Sequence, residues 1–344
     1  MLERFSTNAT VAKIRSIYGS MLTAEDFHEM VSKRSVAEIA DYLAATKRFS
    51  RALRDIDVNT VHRGYLESRL VRSTFETYIR LTAFQGLDRK PFYDFLIKKY
   101  ECRQLISLVN AVNNGLNDSF IATLPSYMFK RRRINLISLA KYTDIPSLTS
   151  ALKGTEYYKV FRSFKLSEDG KADLTDAEIK LRINYFTNLL KSVDESFFGS
   201  ERDEMEMIIK REVDTINMIN AYRMKAYFGY TPDEIRKSSL PFTQCGRSAM
   251  NRVFNSEDPQ SMLSEIRKST YGRMMTDDED SIETGMSRRA LDYMRRTLVS
   301  STSTPAALYS FMYICEEELK NIVRIIEGVR YDVEPAMIDK LLVL

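Results

Sequence analysis

The chain has 344 residues, a net charge of +4, 44% apolar and 28% charged residues. This length suits two or three average domains, and so small a charge neither demands nucleic acid nor excludes an acidic partner. No apolar run approaches the roughly 18 residues of a membrane span, no apolar leader opens the sequence, and Cys102, Cys245 and Cys315 are scattered without paired spacing. A soluble intracellular protein in a reducing, cytosolic setting is therefore expected.

Glycine and proline are scarce, at 12 and 8, while helix formers abound. With no credible period-two strand, the fold is predicted to be all-α. In chain order, Thr23 is the first predicted helix cap, with Asp26 three residues on and Phe27 four. Ser35 is the second, leading to Ile39, Leu43 and then Thr46. A drifting helical stripe runs from Leu53 through Leu66 and Phe75 to residue 84, and another from Phe92 to Val112. Asn117 then repeats the first cap, with Phe120 and Ile121, and Asp144 repeats the second, with Leu148, Leu152 and Thr155. After a break at Ser167–Gly170, two long helices are predicted between 174 and 224. Thr231-Pro232, with Glu234 and Ile235, is the third copy of the first cap; Asp258, with Met262, Ile266 and Ser269, is the third of the second. Breaks at 255–258, 276–280 and 300–305 frame a last helix pair over 287–299 and 306–330. Glu334-Pro335 and Ile338 form a partial fourth copy.

Ser35, Asp144 and Asp258 lie 109 and then 114 residues apart. That is too long for a solenoid repeat of roughly 20–50 residues, so three copies of one small helical-bundle domain are expected. Their bounds are 1–85, 86–195 and 196–305, with 306–344 packing back to complete the first. First and second caps stand 12 residues apart in copy one and 27 in the other two, so copy one is short.

Each copy also has an acid-x-x-amide pair on the helix before its first cap: Glu101 and Gln104, Asp214 and Asn217, Glu318 and Asn321. The i,i+3 spacing puts both side chains on one face. They form either a buried polar clamp between helices or a ring of equivalent positions about a shared axis. The clamp is preferred, because duplicated domains inherit structural positions first. Lys130, Arg131, Arg132 and Arg133 cannot share one helix face. A solvated helix end is the simplest reading, with Arg131, Arg132 and Arg133 as a partner interface next and nucleic-acid phosphates last.

Catalytic chemistry is harder to find. His28 and His62 lack acids or cysteines at ligand spacing, so no metal site or catalytic dyad is expected. No glycine-rich phosphate loop occurs, and Asp277 to Asp280 read as a solvated loop. Neither an enzyme nor a cofactor is predicted. The supply of 16 methionines and 19 tyrosines is compatible with large protein interfaces.

Three stretches carry a resemblance: Ala12 to Thr23; Arg211 to Asn220 with Gly229 to Ile235; and Tyr313 to Val329. They resemble the C subunit of bacterial and archaeal V-type (A-type) ATPases, a relative of the d subunit in the eukaryotic vacuolar ATPase. The likeness spans the chain but departs from the family habit at Gln244 to Arg247, where a short apolar or glycine-rich turn is expected. It implies a funnel of three helical domains with pseudo-three-fold arrangement. Such a protein sits peripherally on the cytoplasmic side of the membrane, without catalysis. It caps the ring of ion-carrying subunits, sockets the central stalk, and couples rotation to H⁺ or Na⁺ transport; no nucleic acid or small-molecule substrate is implied. A helical-repeat adaptor or nucleic-acid-binding protein using Lys130 to Arg133 is the alternative.

Overall fold

The computed structural model describes residues 2–57, 61–84, 86–125, 134–272 and 281–344, with side chains from residue 9 onward. Among the described residues all regular structure is helical, apart from one isolated antiparallel bridge between Leu166 and Ala172. The first part of the chain forms α1 (Leu2–Tyr18), α2 (Ala24–Val31), α3 (Val36–Ala45), α4 (Arg63–Ala83), α5 (Phe95–Asn114) and α6 (Asn117–Thr123). Then follow α7 (Leu136–Leu139), α8 (Ile145–Ala151), α9 (Tyr158–Phe161), α10 (Leu174–Ser196), α11 (Gly199–Phe228) and α12 (Pro232–Lys237). The remainder is α13 (Arg247–Phe254), α14 (Pro259–Lys268), α15 (Ile282–Ser300), α16 (Thr304–Arg330) and α17 (Pro335–Leu341).

Most of the helix starts foreseen from the sequence form by side-chain capping, which satisfies backbone N–H groups that have no partner in the first turn. Thr23 and Thr231 each build a full capping box, with Asp26 and Glu234 reaching back to the cap backbone. Ser35 caps Glu38 N–H, Asp144 caps Ser147 N–H, and Asp258 accepts from Gln260 and Ser261. Asn117 behaves differently. Leu116 occupies the cap position of α6, and the Asn117 amide instead donates to the carbonyls of Ala140 and Tyr142, both at 2.8 Å. Leu53 and Ile56 precede α4 rather than belonging to it: the helix starts only at His62, whose Nδ1 accepts the Tyr65 N–H. Their apolar spacing matches a helix because Leu53 enters the core from a turn, which periodicity alone does not distinguish.

Packing divides the chain into two compact units, one of residues 1–87 with 263–344 and one of residues 88–262. In the first, α16 is the axis, packed against α1, α2, α3, α4, α15 and α17. Its Leu319, Ile322, Ile325 and Ile326 share one core with Phe27, Met30, Ile39, Leu43 and Phe49 from the start of the chain and Ile338 and Leu342 from the end. In the second, α5 packs on α10, α6 and α8, α10 on α11, and α11 on α12 and α13.

The long helices α5, α11 and α16 finish alike. Gly115 and Gly229 adopt left-handed φ of 66° and 65°, two residues before Asn117 and Thr231. Asp332, two residues before Glu334, takes the same turn at φ 51° and is the sole non-glycine residue with positive φ among those described. An L side chain pays about 1–2 kcal/mol for this region, less for Asp and Asn. Asp332→Gly should therefore raise the stability of the first unit by about 0.5–1 kcal/mol, and Asp332→Val should lower it by more. Urea denaturation of the two variants measures both.

Candidate functional site

The amides of the repeated polar pairs act on backbone. Asn217, buried on α11, donates from Nδ2 to the Leu240 carbonyl and accepts the Leu240 N–H on Oδ1, each at 2.9 Å. Asn321, buried on α16, does the same to Val343, at 2.7 and 3.0 Å. Leu240 lies nine residues after Thr231 and Val343 nine after Glu334, so both asparagines hold the chain just beyond the following short helix. A bidentate amide–peptide pair satisfies a donor and an acceptor together, which is what a buried loop backbone requires. Gln104 is half-buried on α5; position 126, at the matching step, lies outside the described residues.

The acids of the pairs take donors from other segments of the chain. Asp214 Oδ2 accepts the N–H groups of Gln244 and Cys245, both at 2.8 Å, and so pins the segment that departs from the expected turn. Glu101 accepts the Tyr157 hydroxyl at 3.2 Å. Glu318 accepts the Leu22 N–H at 3.1 Å and pairs with Arg48 Nε at 2.9 Å, both side chains under 5% exposed. Tyr157 stands 13 residues after the cap Asp144, and Arg48 13 after the cap Ser35. The same step thus presents a donor to an acid of the same pattern, carried on α5 in one case and on α16 in the other. Next to Glu318, burial raises the pKa of Glu317, but Lys320 and Arg324 outweigh it and hold this carboxyl below its ordinary range.

The hydroxyl that closes each second-cap pattern has one consistent partner. Thr46 donates to Leu43, Thr155 to Leu152 and Ser269 to Ile266, at 2.7, 2.7 and 2.6 Å. Each then receives a backbone N–H from two or three residues on: Phe49, Tyr157 and Gly272. Two further residues take part that the sequence pattern did not single out. Arg48 had no partner visible nearby in sequence, since Glu318 is 270 residues away. Asn113 clamps Ala172 by the same bidentate scheme, and its neighbour Asn114 disguises it.

These contacts hold backbone segments and buried side chains in place. Burial pushes the Cys102 and Cys315 thiols up to about 12, which removes them as nucleophiles near neutral pH. His28 meets Asp339, far away in sequence, at 3.0 Å across α2 and α17, with both side chains exposed. Among the described residues no group of His, Cys, Asp or Glu is arranged to hold a metal ion. Arg131, Arg132 and Arg133, with Lys130 and the acids Asp277 to Asp280, lie outside the described residues. What the repeated helix ends do offer is apolar surface. Leu116, Phe228 and Tyr331, each beside a left-handed residue, are 53%, 71% and 67% exposed.

Asn321→Leu leaves the Val343 N–H and carbonyl without their buried partner, and should cost about 2–4 kcal/mol; Asn114→Ala on an exposed face should stay within about 0.5 kcal/mol. Chemical denaturation separates them. Because the folded-state pKa of Glu317 is depressed, its contribution is complete above the unfolded value and is lost as pH falls through the carboxylate range. Wild type should therefore lose more stability than Glu317→Gln between about pH 5 and pH 3, as followed by thermal melts across that window.

The sequence matches the family described as ATP synthase (C/AC39) subunit over residues 10–341. It is similar to the C subunit of the A-type ATP synthase of Pyrococcus horikoshii, at 23% identity over 92% of this chain and 85% of that protein. The same-named proteins of Pyrococcus abyssi and Thermococcus onnurineus are each 22% identical, over 96% of this chain and 89% and 88% of theirs. With a match that runs almost from end to end, the chain belongs to the ATP synthase (C/AC39) subunit family.

Proposed function

We propose that the protein is the non-catalytic rotor subunit of a rotary ATP synthase or V-type ATPase. In this reading it caps the membrane ring of ion-carrying subunits on the cytoplasmic side and receives the foot of the central stalk. It thereby couples rotation to H⁺ or Na⁺ transport. Family membership supports a place in such a complex. In this reading attachment is through partner subunits; no helix among the described residues is long and apolar enough to cross a membrane.

The observation that carries the mechanical part is the repetition of one helix end. α5, α11 and α16 each close in a left-handed turn with a large apolar side chain projecting beside it. We read the chain as three similar domains in a pseudo-three-fold, funnel-shaped arrangement, bounded near residues 85, 195 and 305. The C-terminal half-copy completes the first domain, in keeping with the parallel between Arg48–Glu318 and Tyr157–Glu101. Three like but unequal copies would let one body face a ring of identical subunits and a single asymmetric stalk. Torque transfer calls for stiffness, and close-packed helices with clamped connections resist deformation. Arg131, Arg132 and Arg133 serve in this reading as a charged contact to a partner protein.

Phe228→Asp with Tyr331→Asp should leave the melting temperature close to that of wild type, since both side chains are exposed. Co-purification with ring or stalk subunits should fall by about tenfold or more, as expected for anchors at an interface. Charge reversal at Arg131, Arg132 and Arg133 should weaken assembly more than folding. Intact complexes with unchanged ATP-driven ion transport in both variants would reject the reading.

A further inference from the structure

A concavity of about 300 Å³ in the first unit is walled by three parts of the chain, two of which supply cations. Arg69, Arg72 and Arg80 line up on one face of α4, Lys47, Arg48 and Arg51 come from the turn after α3, and Ser20 closes the wall from the end of α1. Against these six cations the lining has one carboxylate, Glu76, which Arg72 engages at 2.7 Å. Arg48 is neutralised from behind by Glu318. Among the described residues Lys47, Arg51, Arg69 and Arg80 have no carboxylate in ion-pair range, so four positive charges converge without compensation.

The side chains are also held in place. Arg69 donates from Nε and Nη2 to the Ala52 carbonyl, at 3.1 and 2.7 Å, and Arg80 donates to the Thr77 hydroxyl at 3.1 Å. Arginine held this way leaves further N–H groups in a fixed fork, the geometry that suits phosphate oxygens. A cleft lined by one sign of charge concentrates field and counter-ions. The cations are too far apart in sequence to form a motif, and tertiary packing alone assembles them.

We propose that this concavity binds a small phosphate anion of two or more charges, either free, as a pyrophosphate group, or as the phosphomonoester headgroup of a lipid. Its volume is at the low end for small-molecule sites, which favours a compact anion over a segment of acidic protein. No aromatic ring lines it, so it has no stacking platform for a nucleobase. This site is separate from the apolar helix ends and does not rest on the coupling role.

Isothermal titration calorimetry on the full chain, with sodium pyrophosphate at constant ionic strength, tests the soluble arm. Flotation with phosphatidylcholine vesicles containing phosphatidic acid tests the lipid arm. Saturable binding with unit stoichiometry is expected, weakening as salt rises. The double variant Arg51→Ala with Arg80→Ala should weaken it by roughly tenfold or more through lost charge-assisted hydrogen bonds, with an unchanged melting curve. Lys191→Ala, at an exposed site in the other unit, should bind as wild type does. Binding in the pyrophosphate arm alone assigns a soluble anion; binding in the vesicle arm that the double variant abolishes assigns a lipid headgroup. No saturable binding in either arm overturns the proposal, as does binding that survives the double variant. Capture of a poly-glutamate peptide that pyrophosphate fails to displace also overturns it, and assigns the cations to an acidic protein.

Discussion

A helix buried along most of its length can carry polar groups only if the surrounding chain satisfies them, and α16 imposes that condition on the first unit. Its buried apolar residues need partners all round, which the two ends of the chain supply together. Its polar residues need specific donors and acceptors, which fixes where those ends must lie. Glu318 requires Arg48 and the Leu22 N–H, and Asn321 requires the Val343 backbone. Removing one member of a buried ion pair leaves an uncompensated charge and typically costs about 3–5 kcal/mol. The Arg48–Glu318 pair therefore contributes most by excluding other arrangements of the turn after α3, whatever its net stabilisation.

The same solution recurs at the ends of α11 and α16. A long helix ends in a left-handed turn, a short helix follows, and an amide from the long helix grips the backbone beyond it. α11 with Asn217 and α16 with Asn321 make this grip on residues 22 or 23 positions away. Reversal in so few residues requires a backbone state that glycine reaches without cost, and aspartate takes that place at position 332. The short helices are too brief to be stable alone, so the clamp and the buried Ile235 and Ile338 keep them in place. Under the proposed coupling role, stiff connections of this kind would suit a body that passes force between partners, and the exposed apolar residues beside them would be the bearing points.

Charge shows the limit of an overall balance. A net +4 spread over 344 residues suggests little, yet four uncompensated cations gather in one concavity of the first unit. The acids that balance them in the total lie elsewhere, many in i,i+4 pairs on exposed helix faces such as Arg182 with Glu178 and Lys191 with Glu195. Such pairs are worth a few tenths of a kcal/mol and set no partner preference. Position, not total, decides what a charged surface can recognise.

The sequence alone determined the helical class, the long helices and most of their starts. These depend on local rules: capping residues, breakers and a 3.6-residue apolar period act within a few positions. Thr23, Ser35, Asp144 and Thr231 cap as their neighbours dictate. It also marked the polar pairs, because an acid-x-x-amide pattern recurs 16 or 17 residues before Asn117, Thr231 and Glu334. Local rules failed where a residue answers to a distant one. Asn117 gives up the cap position to hold a loop more than twenty residues away, and Leu53 mimics a helix position from a turn. Only the tertiary structure decided that Glu318 pairs with Arg48, that His28 meets Asp339 and that arginines from separate segments share one concavity. Those outcomes depend on which surfaces meet after the chain folds back, and no periodicity along the chain encodes a contact across 270 residues.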